Sequence, residues 1–352
     1  MSLVDEAVAV RTGEALDVER LGDYLAGHLP DLQPPLQLRQ FPSGFSNLSY
    51  LLSAGNAEYV LRRPPIGTRP KSGHDMQREF RVLSALRAGF PECPRALLFC
   101  ADESVIGAPF YVVERIRGII LRRDYPPGLE ATPALVRAQQ TALIDVFARL
   151  HGLDYGMLGL ADLGRPDGYV ARQVRGWTER YAAVQTGDAP QPNEVTTWLA
   201  ANQPRGPSRT ALIHNDYKLD NVVFDPRRPE HLVGVLDWEM ATLGDPLMDL
   251  GSSLAYWVQA DDDPELAATR MVPTQLPGSL TREQVVQRYA AASGLPIDGM
   301  RFYRVFGLFR LAVILQQIYY RYYHGQTRDP RFAALGRMTH VLVRHAAGAT
   351  AL

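Results

Sequence analysis

Cysteine is nearly absent, with only Cys93 and Cys100 in 352 residues. Two cysteines exclude a disulfide framework and make a reducing, cytoplasmic setting the expectation. An excess of charge of one sign is missing too. Lys plus Arg number 37 against 38 for Asp plus Glu, a formal net charge of -1. A dedicated nucleic-acid binder would show a basic excess or stripe, so no nucleic-acid partner is expected. The longest apolar stretch near membrane length, residues 302–323, is interrupted by Arg304, Arg310, Gln316, Gln317 and Arg321. It reads as a buried helix and not as a span, so no membrane partner is expected either. The first eleven residues include Asp5 and Glu6 and lack the basic and apolar regions of a secretory signal. There is no G-x-S-x-G nucleophile elbow and no G-x4-G-K-[ST] run, which weakens serine-hydrolase and P-loop readings. Internal repeats and low-complexity tracts are also missing.

What remains is ordinary globular composition, 46% hydrophobic and 21% charged, in a chain long enough for about two compact lobes. Residues 17–29 carry Val18, Leu21, Leu25 and Leu29 at helical spacing. Short β-like runs follow at 36–41, 48–53 and 58–62, with Asn56 at the turn between the last two. Helical period returns at 74–88 before Gly89, and strand-like runs recur at 96–100 and 110–116. From about residue 130 the pattern is mainly helical. Thr132 and Pro133 look like an N-cap and first helical position. Thr281 and Gln284 form a capping-box pair. One β interruption stands out, with runs at 221–224 and 232–236 on either side of Asp225-Pro226-Arg227-Arg228-Pro229. A smaller sheet-rich lobe over residues 1–115, followed by a larger helical lobe over 116–352, is an α+β layout.

The chemistry is concentrated in Leu212-Ile213-His214-Asn215-Asp216-Tyr217-Lys218-Leu219-Asp220-Asn221, then the hairpin, then Asp237-Trp238-Glu239. Antiparallel strands return to the same open end, so Asn221 before the hairpin and Asp237 after it are expected to meet. An amide oxygen and a carboxylate suit Mg²⁺, a hard ion that keeps waters and binds phosphates. Asp216, a short turn away, could orient a hydroxyl and accept its proton. Taken singly, His214-Asn215-Asp216 also fits a turn and Asp237 a helix cap. Upstream, Ser43-Gly44-Phe45-Ser46-Asn47 joins two expected strands, and Gly44 would let the backbone approach phosphates. Arg62 ends the next strand. Glu79 shares a helix face with Met76, Leu83 and Leu86, where a carboxylate is costly unless paired, with Arg62 or Arg63 as candidate partners. His151, Asp261-Asp262-Asp263 and the tyrosines at 319, 320, 322 and 323 read as structural.

In their order along the chain, these motifs resemble the aminoglycoside phosphotransferase (choline/homoserine kinase-like) family of the protein-kinase-like fold, over roughly residues 35–325. The branch associated with acyl-CoA dehydrogenases is suggested by Tyr59-Val60-Leu61-Arg62-Arg63-Pro64-Pro65, Ala148-Arg149-Leu150-His151 and Leu212-Ile213-His214-Asn215-Asp216-Tyr217. Leu236-Asp237-Trp238-Glu239 and Gly244-Asp245-Pro246-Leu247-Met248-Asp249-Leu250-Gly251 strengthen it. The resemblance implies ATP and Mg²⁺ as cofactors, Asp216 as the catalytic aspartate, and Asn221 and Asp237 as metal ligands. It implies that Ser43, Gly44, Phe45, Ser46 and Asn47 cover phosphates and that Glu79 is the helix partner. The segment from Glu114 to Ile116 would be the hinge beside adenine. Arg62 stands where kinase-like folds usually carry Lys, and the two are not interchangeable. The implied reaction moves the γ-phosphoryl group of ATP to a hydroxyl of a small molecule, a hydroxyacyl metabolite ahead of an aminoglycoside. A nucleotide-binding module without catalysis and a metal-dependent phosphohydrolase using His214, Asp216 and Asp237 are the alternatives.

Overall fold

A computed structural model of the chain describes residues 3–29, 32, 35–42, 47–65, 75–206 and 209–351. In chain order its main elements are α1 (Val18–Ala26), β1 (Gln37–Gln40), β2 (Leu48–Ala54), β3 (Ala57–Arg63), α2 (Met76–Leu86), β4 (Ala96–Cys100) and β5 (Phe110–Glu114). Next come α3 (Pro133–His151), α4 (Tyr169–Ala183), α5 (Asn193–Ala201), β6 (Ala211–Ile213), β7 (Val222–Phe224), β8 (Leu232–Val235) and β9 (Thr242–Gly244). The chain ends with α6 (Pro246–Leu254), α7 (Pro264–Ala268), α8 (Arg282–Ser293), α9 (Met300–Tyr323) and α10 (Leu335–Ala351). The expected α+β class holds: a small antiparallel sheet and a larger helical part.

Two compact units divide the chain. One comprises Met1–Ile120, Leu158–Leu160 and Val222–Ala241; the other comprises Leu121–Met157, Ala161–Asn221 and Thr242–Leu352. In the first unit, five strands run in the order β1-β2-β3-β5-β4. The β2–β3 turn falls at Gly55 and Asn56, where Ala54 faces Ala57 and Gly55 takes φ of 58°. One sheet face packs Tyr50, Leu52, Leu61, Phe110 and Val112 against Leu21 and Leu25 of α1. Strand alternation then sends Arg62 to the opposite face. Asp17 and Asp75 cap α1 and α2 by accepting from the backbone amides of Arg20 and Arg78.

The β7–β8 hairpin belongs to this first unit. Phe224 pairs with Ile119 by mutual backbone hydrogen bonds of 2.8 Å, and Val235 donates to Glu92 O at 2.7 Å. Gly118 permits that approach, since a Cβ there would lie 2.3 Å from the Phe224 carbonyl oxygen.

The second unit is helical around a short β6–β9 pair, registered Ala211 to Gly244 and Ile213 to Thr242. Thr132 and Pro133 start α3, and Thr281 with Gln284 forms the capping box of α8. Helices α6 and α9 cross at glycines. A Cβ on Gly307 would meet the Gly251 carbonyl oxygen at 2.0 Å, and one on Gly251 would meet the Tyr303 oxygen at 2.3 Å. Residues 302–323 lie inside α9, largely buried, and among the described residues no helix is long and apolar enough to cross a membrane.

Candidate active site

In the first unit the site is built around Arg62. Its neighbour Arg63 points to the core side and donates to the carbonyls of Ile106 (2.8 Å) and Pro64 (3.1 Å). Arg62 Nη2 donates to Asp237 Oδ1 at 2.5 Å and to Glu239 Oε2 at 3.3 Å, while Nε faces Glu79 Oε1 at 3.6 Å. Three carboxylates therefore surround one guanidinium. Burial pushes the Glu79 carboxyl upward, and Arg62 only partly offsets this. Asn47 joins the group by donating from Nδ2 to Glu239 Oε2 at 2.6 Å. Asp237 sits in the left-handed region, φ 66°, at the entrance to a 3-10 turn over Trp238–Met240. Trp238 anchors that turn by burying its indole, donating to Val235 O at 2.9 Å and meeting Phe90 edge-on. With the tryptophan held, Asp237 and Glu239 on either side turn toward Arg62.

Glu114 and Ile116 do not join this group. Glu114 ends β5 and its carboxylate lies 3.6 Å from Arg95 and 3.9 Å from Arg87. Ile116 packs over Gly234 of the hairpin, where even a Cβ would crowd it at 3.0 Å. Ser43, Gly44, Phe45 and Ser46 lie outside the described residues.

In the second unit, β6 delivers the chain into a buried turn. Asp249 of α6 accepts from the backbone amides of His214 (2.6 Å) and Asn215 (2.8 Å). Asp249 is itself braced by His151 Nε2 at 3.2 Å, whose Nδ1 meets the Tyr289 hydroxyl at 2.6 Å. Arg310 of α9 donates to the Asn215 carbonyl at 2.6 Å. Clamped on both sides, Asn215 adopts φ of 65°, a conformation open to asparagine at modest cost. The turn presents Asp216. Asn221 Nδ2 donates to Asp216 Oδ2 and to its backbone carbonyl, both at 2.8 Å. Lys218 Nζ donates to the same Oδ2 at 2.5 Å and lies 3.4 Å from Asp220 Oδ1. Burial alone would lower the Lys218 value, but Asp216 and Asp220 outweigh it and hold the ammonium charged. Tyr217 stacks on Phe147 with centroids 4.1 Å apart and donates to Leu143 O, which fixes the middle of the loop.

Of the residues singled out by sequence, Asn47, Arg62, Glu79 and Asp237 are gathered in one unit, and Asp216 and Asn221 in the other. Sequence reasoning passed over Glu239, Lys218 and Arg310 as site residues. Glu239 and Lys218 were signalled only by standing two positions after Asp237 and Asp216. Arg310 had a sharper signal, a cation in the middle of an otherwise apolar helix face.

The donors available for a metal are hard oxygens. Asn221 spends its amide nitrogen on Asp216, which leaves Oδ1 as the atom for a cation. Glu79, Asp237 and Glu239 outnumber Arg62 three to one, a surplus of negative charge that suits a divalent ion. Among the described residues no group of three or more His, Cys, Asp or Glu side chains is arranged to hold a metal unaided. That is compatible with Mg²⁺, which usually takes one or two protein carboxylates plus substrate phosphates and water.

Comparison with known proteins bears on the family and the fold. The chain is 38% identical over 334 residues to acyl-CoA dehydrogenase family member 10 of Mus musculus, a match spanning 94% of this chain but 31% of that protein. A Ralstonia eutropha protein provisionally assigned as an aminoglycoside phosphotransferase superposes with a TM-score of 0.80 at 30% identity, covering 96% of this chain and 99% of that one. Aminoglycoside phosphotransferase APH(4)-Ia, solved as a ternary complex with AMP-PNP and hygromycin B, shares the fold with a TM-score of 0.57 at 15% identity, covering 92% of this chain and 97% of that one. The model of the phosphotransferase enzyme family matches residues 37–302, so this kinase-like chain belongs to that family.

Proposed function

We propose that the protein transfers the γ-phosphoryl group of ATP to a hydroxyl of a small molecule, with Mg²⁺ as cofactor. The observation that carries this reading is the Asp216 carboxylate, aimed by a loop whose backbone is held by Asp249 and Arg310 and whose Oδ2 is fixed by Asn221. Asp216 then orients the acceptor hydroxyl and takes its proton late, because phosphoryl transfer depends mostly on positioning and charge neutralisation. Asn221 and Asp237 are the proposed metal ligands, and the bound ion would neutralise phosphate charge. Arg62 takes the place of the usual lysine, its charge shared among Glu79, Asp237 and Glu239. Ser43, Gly44, Phe45, Ser46 and Asn47 are assigned to the phosphates, and Glu114 to Ile116 to the adenine edge. The AMP-PNP complex of the APH(4)-Ia neighbour supports ATP as the donor.

For the acceptor we favour a hydroxyacyl metabolite over an aminoglycoside. Relatives named for acyl-CoA dehydrogenases support this preference. The 261–263 aspartates also have partners of their own: Asp263 caps α7, Asp262 pairs with Arg282, and Asp261 accepts from Gln259. Asp216→Asn tests the assignment. Turnover should fall by about a thousandfold or more while Mg²⁺-nucleotide affinity stays within about threefold. Wild-type turnover in that variant would overturn the role of Asp216.

A further inference from the structure

Arg115 is a buried cation that the mechanism above leaves unused, and it stands inside the segment assigned to the adenine edge. Its side chain is 3% exposed. Nη1 donates to Glu58 Oε2 at 2.9 Å, and Nη2 donates to Glu6 Oε2 and to the Asp5 carbonyl oxygen, each at 2.9 Å. Arg117 shares both carboxylates, 3.2 Å from Glu58 and 3.8 Å from Glu6. The Arg115 guanidinium carbon also lies 5.8 Å from the centre of the Phe41 ring, two positions before Ser43.

Around Arg115 the backbone is fixed at several points. Glu114 N–H donates to Arg95 O at 3.0 Å, Gly118 O accepts from Asp5 N at 2.9 Å, and Ile119 pairs with Phe224. Between those points, among the described residues, no hydrogen bond takes the backbone amide or carbonyl of Ile116. A donor and an acceptor on one anchored residue match a purine edge, where adenine presents a ring-nitrogen acceptor beside an amino donor. Covering the exposed edge of β1 explains residues 5–14 only in part. Val8 and Gln40 exchange backbone hydrogen bonds of 2.8 Å, and the Gln40 side chain binds Arg11 N and Glu14. Residues 8–14 therefore close that edge by themselves. Asp5 and Glu6 spend their contacts on Arg115 and Gly118 instead.

We propose that Arg115 is a positioning residue for the nucleotide base: by tying residues 114–118 to Asp5, Glu6 and Glu58, it holds the Ile116 backbone groups ready for a purine edge. The proposal rests on the phosphotransferase reading and deepens its nucleotide site. Arg115 acts through its neighbour and takes no part in the chemical step. A backbone ordered before binding loses little further freedom when the base docks. Loss of the tie therefore weakens ligands that carry the base and spares those that carry phosphates alone.

The test uses the full chain and needs no known acceptor. Arg115→Met is titrated calorimetrically with Mg²⁺-AMP-PNP and with Mg²⁺-tripolyphosphate, which has the phosphates and no base. We expect AMP-PNP affinity about tenfold weaker than wild type and tripolyphosphate affinity within about twofold. Arg115→Lys keeps the charge without the fork of donors and should fall between. Glu6→Gln leaves Arg115 with Glu58 and the Asp5 carbonyl. It should weaken AMP-PNP by about threefold, and it carries the same comparison if the methionine variant does not fold. Equal weakening of both ligands, or none, in a folded variant would overturn the role of Arg115 while leaving the phosphotransferase reading intact. A wild-type protein that bound neither ligand would overturn both.

Discussion

Arg62 and Arg63 are adjacent and identical in type, yet they do different work because a strand alternates its faces. Sequence alone could name both as partners of Glu79 but could not choose, since the choice depends on which face meets α1. Leu61 and Arg63 share the core side, so Arg62 goes to the carboxylates. Lys218 was hidden for another reason: in sequence it is one cation among 37, and only the turn after β6 brings it to Asp216. Asp216, Asn221 and Asp237 stood out in the sequence because such residue types recur there at a fixed spacing, and their roles are those proposed above. Glu79 yields a prediction at this scale. Burial raises its carboxyl above the ordinary 4.5 despite Arg62. A carboxyl raised on folding contributes stability below its unfolded pKa and loses it as pH rises through the folded value. Glu79→Gln escapes that loss and still leaves Arg62 with Asp237 and Glu239. As pH rises from about 4 through the raised folded value, the melting temperature of the variant should therefore rise relative to wild type. A difference that stays flat, or moves in favour of wild type, would contradict the assignment.

Among the elements, those with local signals were legible and those made by distant pairing were not. Thr132-Pro133 and the Thr281–Gln284 box marked the starts of α3 and α8, because caps are written within four residues. The β7–β8 hairpin was marked by its proline-rich turn. Strand β9, three residues long, has no pattern of its own and exists because β6 offers it a partner across about thirty residues of chain. The crossing of α6 and α9 was equally silent, since a glycine in a helix says nothing about which backbone it touches. That crossing matters to the site: α6 carries Asp249 and α9 carries Arg310, the two residues that clamp Asn215. Gly307→Ala would drive a methyl group to 2.0 Å from the Gly251 carbonyl oxygen. Rigid backbone on both sides makes this an overpacking change, expected to cost about 2–3 kcal/mol in a denaturant titration. Because the helices must separate, activity should fall along with stability. A variant of unchanged stability would show that the crossing is looser than described.

At the scale of the molecule, the near-zero charge of -1 is compatible with phosphate chemistry because the charges that matter are local. The pair flanking Lys218 comes from one short stretch of chain, whereas the carboxylates around Arg62 come from α2 and from the turn after β8. The family is established by the match over residues 37–302, while the chain spans 31% and 42% of the length of two acyl-CoA dehydrogenase-named relatives. What those longer proteins do as wholes bears on this chain only through the acceptor proposed above. The order of motifs carried the fold from sequence, but the acceptor was not legible, because an acceptor pocket has no fixed spacing of residue types. The most direct measurement is incubation of the protein with ATP, Mg²⁺ and a panel of hydroxyacyl-CoAs, amino alcohols, sugars and aminoglycosides, followed by mass spectrometry and ³¹P NMR. The account predicts a phosphomonoester on the hydroxyl of a hydroxyacyl substrate, formed in equal amount with ADP and missing when Asp216→Asn is used. A phosphomonoester formed as fast by Asp216→Asn, or ATP–Mg²⁺ binding with no phosphorylated product across the panel, would contradict it.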